Sequence, residues 1–565
     1  MSAKTDIKRL DQRPMHEAVL SKNKFRILGL SMDQIIHYFF FGNAWIAILV
    51  LGLITFSLFR EGLGFFPQNY ENLQMYRQCG LEFVDIIKDQ AEAHSALTQY
   101  LDKMLDRKNG ELRKGGMDEG KIAEATAPLA QFRKDFDESS IPLQDFVREL
   151  TQQAAAVKER WGVAKENSIA REQYLKAGSK DEAAKLEVET VDFRKESEAL
   201  KAQIPRLVEI NQTLKKRLGL LLLEFPASDD PKLKSQAVHF KAAAGKYINA
   251  FPDTERKLAN WSYDTTIPVH ETLTRFLFGP QWVTQSFWQD WYGMVPLFVG
   301  SLAVSVVALV IAVPLGVGAA VYINQVANIH EQNLIKPFIE FIAVIPSVVL
   351  GFFGVAILGT AIRDFSNGIL FDPAWVAHLP AFIQWLPSGL NAAARTLTSW
   401  VPFFPISERL NIITAGILLA LMGVPAIFTF SEDALNNVPK SYKEASFALG
   451  ANRLQTILRI LIPASLSGII SAVLLGFGRV IGETMVVLLC AGNRIQIPDF
   501  TQGLGFIFQP VHTMTGLVAQ EIPEVVKNSL QYRALFMLAI MLFLISLLIN
   551  YIAQVFVRKF KISVG

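Results

Sequence analysis

Apolar residues along this chain gather into long runs at one end and one early run, separated by a very long polar stretch. Residues 1–34 are polar and basic, with Lys4, Lys8, Arg9, Arg13, Lys22, Lys24 and Arg26. An apolar run from Phe39 to Phe59 follows and stops at Arg60-Glu61. About 20 apolar residues suffice to cross a bilayer, so this run is a span. From residue 60 to about 290 the pattern changes entirely. Leu97, Leu101, Met104 and Leu105 recur at i, i+4, i+7, i+8, and Phe83, Ile86 and Ile87 do so over a shorter window. Breaks fall at Gly115-Gly116, Pro142, Gly178, Pro205 and Pro226. The spacing predicts long antiparallel helices forming a bundle or hairpin. Leu218 to Phe225 is apolar but too short to span, and is expected to pack inside that bundle.

Five further apolar runs follow: Leu297–Ile323, Pro337–Ile362, Asn411–Phe430, Ala464 to about Ala491, and Ala534–Val557. Trp282, Trp288, Trp291 and Tyr292 crowd just ahead of the first of these, as at a membrane surface. Arg558, Lys559 and Lys561 close the last. Basic flanks stay on the cytoplasmic side, so both termini are expected inside. The expected architecture is all-α: a cytoplasmic arm (1–34), a first transmembrane helix (35–59), an extracytoplasmic helical domain (60–292) and a membrane core (293–565). A cytoplasmic loop at 431–463 lies within that core, with Ser431 expected as the N-cap that opens it. The first apolar run is too long for a cleavable signal and lacks a cleavage site. A net charge of +3 argues for no nucleic-acid partner, and two cysteines, Cys79 and Cys490, make no disulfide framework.

Two charges interrupt the fifth run. Arg479 and Glu483 stand four residues apart, which on a continuous helix places them on one face. An ionisable group at mid-membrane costs about 2.5–3.5 kcal/mol even on a lenient scale. Either the two neutralise each other and glue helices together, or Arg479 faces a polar path and meets an anion there. Gly476, Gly478 and Gly482 beside them would let another helix approach closely. In the third run Pro346-Ser347 offers a hydroxyl, for an anion or for a backbone acceptor freed by the proline. Ahead of the fifth run, Ser441–Pro463 is amphipathic and basic. Ala445, Leu449, Ile457, Ile460 and Leu461 are its apolar positions, Lys443, Arg453 and Arg459 its charged ones, and Gly450 divides it into two short helices.

That last stretch resembles the EAA loop of ABC-importer permeases, whose pattern is E-A-A, three residues, G, nine residues, I-x-L-P. Here it reads Glu444-Ala445-Ser446, Gly450 and Ile460-Leu461-Ile462-Pro463, with Ser and Ile as mild departures. The resemblance implies that Glu444, Ala445, Ser446, Gly450, Ile460 and Pro463 belong to a coupling element seated in a groove of a separate ATPase subunit. Gly478 to Met485, GRVIGETM, is similar to the G-R-x-x-G-E-T-M segment of phosphate-specific ABC permeases of the PstC type. Ile339 to Gly354, IEFIAVIPSVVLGFFG, is similar to the I-P-S-V-V-x-G-F-x-G helix of that family, and NRIQIPDF from Asn493 agrees. The likeness runs from about Gly293 to the C-terminus.

The resemblance implies a type I ABC-importer permease fold with six transmembrane helices and a large helical extracytoplasmic insertion between the first and second. It implies transport of inorganic phosphate across the inner (cytoplasmic) membrane by alternating access. The implied partners are a second permease subunit, two ATPase subunits, an extracytoplasmic phosphate-binding protein and the lipid bilayer. Arg479, Glu483, Thr484 and Ser347 would line the substrate path. Arg479 would meet phosphate through its planar fork, and Glu483 would hold Arg479 when the path is empty. No Walker sequence occurs, since Gly120-Lys121 is followed by Ile122, and no metal-ligand spacing is found. The chain is therefore expected to be a transport subunit rather than an enzyme, with ATP on the partner ATPase and no cofactor of its own. Two other readings fit the same runs. One is a permease of this fold for sulfate or molybdate. The other is a membrane phosphate sensor, since a span, a helical external domain and a second span resemble a receptor input module.

Overall fold

The computed structural model describes residues 26–27, 30–114, 117–177, 179–226, 230–284, 286, 289–366, 369, 387–393, 396, 406 and 408–560. The basic arm before Arg26, the breaks expected at Gly115-Gly116 and Gly178, Trp288, most of 363–408 and Lys561 lie outside them, as do the side chains of Arg26, Arg558 and Lys559. Among the described residues, six helical stretches are long and apolar enough to cross a membrane: Ile36–Gln78, Val295–Gln325, Ser347–Ser366, Ile412–Asn436, Arg453–Ile481 and Leu530–Phe556.

A two-residue pairing, β1 (Arg26–Ile27) with β2 (Leu30–Ser31), precedes α1 (Met32–Leu63). The middle of α1 is bare: Phe39, Trp45, Leu51 and Phe56 are all exposed. Only its far end docks, with Gly62 against Ile540 of the last helix.

Among the described residues ten helices follow before the next span: α2 (Phe65–Gln78), α3 (Leu81–Lys114), α4 (Glu119–Glu138), α5 (Ile141–Lys176), α6 (Lys180–Lys185), α7 (Phe193–Lys201), α8 (Ile204–Leu223), α9 (Pro231–Asn249), α10 (Phe251–Asn260) and α11 (Val269–Phe278). The helical spacing seen in the sequence is the core side of α3. Phe83, Ile87, Leu101 and Met104 are buried in one cluster with Phe136, Phe146, Leu150 and Phe240. Pro142 and Pro205 stand in the first turns of α5 and α8, where a missing N–H costs nothing. Asp118 and Asp192 cap α4 and α7 by accepting backbone N–H groups. Of the apolar stretch at the end of α8, Leu218 is buried in the cluster, whereas Leu220 and Leu223 are exposed.

This helical region is rooted in the spans. Phe65 and Phe276 share a core with Trp282 and Tyr292, which lie on the hairpin β3 (Trp282–Val283) and β4 (Trp291–Tyr292), and with Met294, Leu297, Met514, Leu517 and Leu535. Arg533 donates to the Gly64 carbonyl at 3.0 Å.

The second span is α12 (Val295–Gln325). The third is broken: α13 (Ile329–Val344) stops, and a new helix starts as α14 (Ser347–Phe353), passing through a π-turn (Gly354–Leu358) into α15 (Gly359–Ser366). The fourth is α16 (Ile412–Asn436), which packs on α12 and on the fifth. Small residues set these approaches: Gly316 and Gly476 lie against Ile427, and Gly416 against Val307. Then come α17 (Lys440–Ala448), α18 (Arg453–Thr456), a π-turn (Ile457–Leu461), α19 (Ile462–Ile481) and α20 (Met485–Cys490). A 3-10 segment (Phe500–Phe508), α21 (Met514–Glu521) and α22 (Leu530–Phe560) end the chain. The helical region sits at the α12 N-terminal end of the bundle. The α17–α18 loop sits at the other end, where Lys443 donates to Gln325 at 3.1 Å.

Three expectations are corrected here. The third span does not run unbroken from Pro337 to Ile362, because Pro346 supplies no N–H and bars the helix at Ile345. The fifth does not run unbroken to Ala491 but stops at Ile481. Ser431 is not a cap: it is buried inside α16, which continues to Asn436.

Candidate substrate path and coupling face

The two breaks lie side by side. A Cβ on Gly351 would sit 2.5 Å from Leu489 Cδ1, and Cys490 Sγ lies 3.3 Å from the Gly351 carbonyl. As third and fifth of six spans, α14 and α20 run in the same direction. Pro346 is five residues before Gly351, and Thr484 five before Leu489. At about 1.5 Å per residue both breaks fall at the same level, about 7 Å back along either helix. Interrupted spans present freed backbone groups and helix ends inside the membrane, where polar cargo can be met.

At the break in the fifth span, α19 ends with Gly482 as its C-cap. Glu483 then turns back on the next segment: its Oε1 accepts the Met485 N–H at 3.2 Å, while its carbonyl accepts the Thr515 hydroxyl at 2.7 Å. Arg479 stands in the last turn of α19, exposed on this chain. No ion pair or hydrogen bond engages its guanidinium among the described residues. The expected face-sharing pair of Arg479 and Glu483 is therefore not formed, because the helix ends between them.

Ser347 is the first residue of α14 and half-buried. Its hydroxyl has no hydrogen-bond partner among the described residues, so it repairs no backbone acceptor freed by Pro346. The carbonyl that Pro346 leaves free, that of Ile342, instead accepts the Ile345 N–H at 3.3 Å. Thr484, half-buried, has only a long 3.5 Å approach to the Gly482 carbonyl. Three polar groups thus lie uncommitted around the two breaks, and one, Glu483, is committed.

The α17–α18 loop is an open face. Gly450 divides the two helices in the left-handed region at φ +79°, and Asn452 with Gln455 forms a capping box at α18. Ser446 is buried and its hydroxyl meets that of Thr456 at 2.8 Å, which pins α17 to α18. Glu444, Ala445 and Pro463 are exposed and Ile460 half-buried. Leu449 is 89% exposed. Ala445, Leu449, Gly450 and Ile460 line an open hollow of about 640 Å³.

Residues absent from the sequence-based set are Thr515, Thr513 and Ser301. Ser301 of α12 accepts the Met514 N–H at 2.9 Å, and Thr513 caps α21 through the Gly516 N–H at 3.1 Å. A threonine followed by helical spacing marks the cap in the sequence. Nothing local marks the reach of Thr515 to a turn 32 residues earlier.

The pattern described as binding-protein-dependent transport system inner membrane component matches residues 312–562. The phosphate transport system permease protein PstC of Haemophilus influenzae is 28% identical over 52% of this chain and 85% of its own length. PstC 1 of Mycobacterium tuberculosis is 30% identical over 48% of this chain and 73% of its own. The probable ABC transporter permease YqgH of Bacillus subtilis is 29% identical over 46% and 72%. A solved chain of the MetNI methionine ABC transporter aligns at 15% identity over 47% of this chain and 94% of that one, with a TM-score of 0.30. On the match at residues 312–562 and the 30% identity to a PstC relative over 73% of its length, this chain belongs to the binding-protein-dependent transport system inner membrane components, and within them to the PstC-type permeases.

Proposed function

We propose that this chain is the permease subunit through which an ATP-driven importer moves inorganic phosphate across the inner membrane by alternating access. The observation that carries the reading is the pair of level breaks in the third and fifth spans, with the uncommitted Arg479 guanidinium one turn before the second. Arg479 offers phosphate a planar, permanently charged fork. The Ser347 and Thr484 hydroxyls offer hydrogen bonds at the same level. A path must hold the ion well enough to admit it and weakly enough to release it, and one cation with two neutral hydroxyls suits that balance. The names of the PstC relatives support phosphate as the cargo.

In this reading the chain works beside a second permease and two ATPase subunits, and receives phosphate from an extracytoplasmic binding protein. ATP is hydrolysed on the ATPase chains. The exposed face of Glu444, Ala445, Leu449, Gly450 and Ile460 seats in the ATPase. Ser446 and Lys443 carry its motion to α18 and to the end of α12. Both termini are cytoplasmic, and the helical region at 65–278 stands outside.

The test is anion uptake by proteoliposomes holding the full complex, with phosphate, sulfate and molybdate compared. ATP-dependent phosphate uptake, lost in Arg479→Gln with assembly intact, is the expected result. Uptake of sulfate or molybdate without phosphate overturns the cargo, and full phosphate uptake by Arg479→Gln overturns the path.

A further inference from the structure

The turn between α19 and α20 leaves the Glu483 carbonyl without a helical partner. Thr484 stands at the N-cap position of α20 without a side-chain cap, and its own carbonyl accepts the Leu488 N–H at 3.0 Å. The Glu483 carbonyl, one residue earlier, lies outside that ladder. A buried carbonyl left bare in a membrane protein is costly. It is taken instead by the Thr515 hydroxyl at 2.7 Å, from a side chain only 6% exposed.

Thr515 is itself held from two directions. Its neighbour Met514 donates its N–H to Ser301 of α12, and Thr513 caps the same turn through Gly516. Gly300 lets this segment lie against α12, since a Cβ there would stand 2.2 Å from the His512 carbonyl oxygen. Met514 and Leu517 belong to the core that also holds Phe65, Phe276 and Tyr292, the root of the helical region. The hydroxyl thus joins a rigid seat to the turn that carries Glu483 and Thr484 and follows Arg479.

We infer that Thr515 is a positioning residue for the anion path: its hydroxyl fixes the interrupted turn at Glu483 and so sets where Arg479 and Thr484 stand. This rests on the transport reading above. It also links the helical region to the path, because the region's root shares one core with Met514 and Leu517 on either side of Thr515.

The test uses the complete transporter in proteoliposomes and reads the KM and maximal rate of uptake for wild type, Thr515→Val, Thr515→Ala and Thr515→Ser. Loss of one hydrogen bond corresponds to about a three- to tenfold change in an equilibrium, so Val and Ala should raise KM by about that factor while Ser stays within about twofold of wild type. Ala covers the case in which Val fails to assemble. Equal impairment of Ser and Val overturns the proposal, as does an unchanged KM with only the maximal rate reduced, or failure of both Val and Ala to assemble. If wild type carries another oxyanion but not phosphate, the cargo reading fails and the same comparison is made with that anion.

Discussion

Glu483 gives its carboxylate to the Met485 amide at 3.2 Å, and Arg479, four residues earlier, is left with no ion-pair partner among the described residues. The carboxylate therefore acts as a local cap, not as a counter-ion. A glutamine keeps an acceptor oxygen at the same place. Glu483→Gln should retain most phosphate uptake, whereas Glu483→Ala strips the cap and should cost about 1 kcal/mol of local stability. Arg479→Lys keeps the charge but not the fork, and should lose uptake to an intermediate degree. Uptake assays on the assembled complex decide the matter: abolition by Glu483→Gln as complete as by Arg479→Gln would make the negative charge essential and sink the cap reading.

Gly300 and Gly318 both lie on α12 but differ in what surrounds them. A Cβ at Gly300 meets the backbone oxygen of His512 at 2.2 Å, and backbone cannot swing aside as a side-chain tip does. Gly318 has nothing within 4 Å. Gly300→Ala should therefore destabilise the chain by about 1–3 kcal/mol, the usual cost of overpacking. Gly318→Ala should be neutral or gain up to about 1 kcal/mol from lower backbone entropy in the unfolded chain. Thermal unfolding in detergent reads both, and equal Tm values would remove the close contact between α12 and the segment leading into α21.

Much of this architecture is written in local pattern. Six apolar runs announce six spans because length against bilayer thickness needs no tertiary information. The spacing of Phe83, Leu101 and Met104 marks the core side of α3 for the same kind of reason. The breaks are less legible. Pro346 is a local signal for the third span. The fifth has only Gly482, and an arginine four residues before a glutamate reads as a helical pair. What holds that turn open comes from afar, from Thr515 and from the contact of Leu489 with Gly351. Ser431 misled for a related reason. A serine before acidic residues looks like a cap, but packing of Leu435 against Ile323 and Phe428 carries α16 past it.

Leu449 is 89% exposed, with Gly450 beside it in the left-handed region and nothing within 4 Å of where a Cβ would stand. Leu449→Asp should leave the Tm of the isolated chain unchanged, because no neighbour is lost. If this face seats in the ATPase as proposed, the substitution should abolish co-purification with the ATPase subunits, because it places a charge in that contact. Gly450→Ala pays only backbone strain, about 1–2 kcal/mol, and should weaken coupling partially, with Gly450→Asn milder because asparagine tolerates this conformation. A fall in the Tm of the isolated Leu449→Asp chain, or intact ATPase binding, would remove this face as the coupling surface.

His94 makes the helical region sensitive to acid. The ring is fully buried, stacks on Phe136 at 4.5 Å, and meets the Phe136 carbonyl through Nε2 at 2.9 Å. That contact puts the neutral ring's proton on Nε2 and leaves Nδ1 bare, buried and without a partner. Protonation would bury a charged N–H with no acceptor. Burial accordingly holds His94 below the ordinary histidine range, with the Phe136 carbonyl and Asp137 opposing in part. In the unfolded chain the ring binds a proton near pH 6.5, higher than in the folded one. The stabilisation is thus complete above about pH 6.5 and is lost as pH falls from there through the depressed folded value. His94→Gln keeps an N–H for the Phe136 carbonyl and cannot titrate. Between about pH 7.5 and 5.5 the wild-type Tm should fall further than that of His94→Gln. Equal falls in the two proteins would place the acid sensitivity elsewhere, since this ring would then titrate alike whether folded or unfolded.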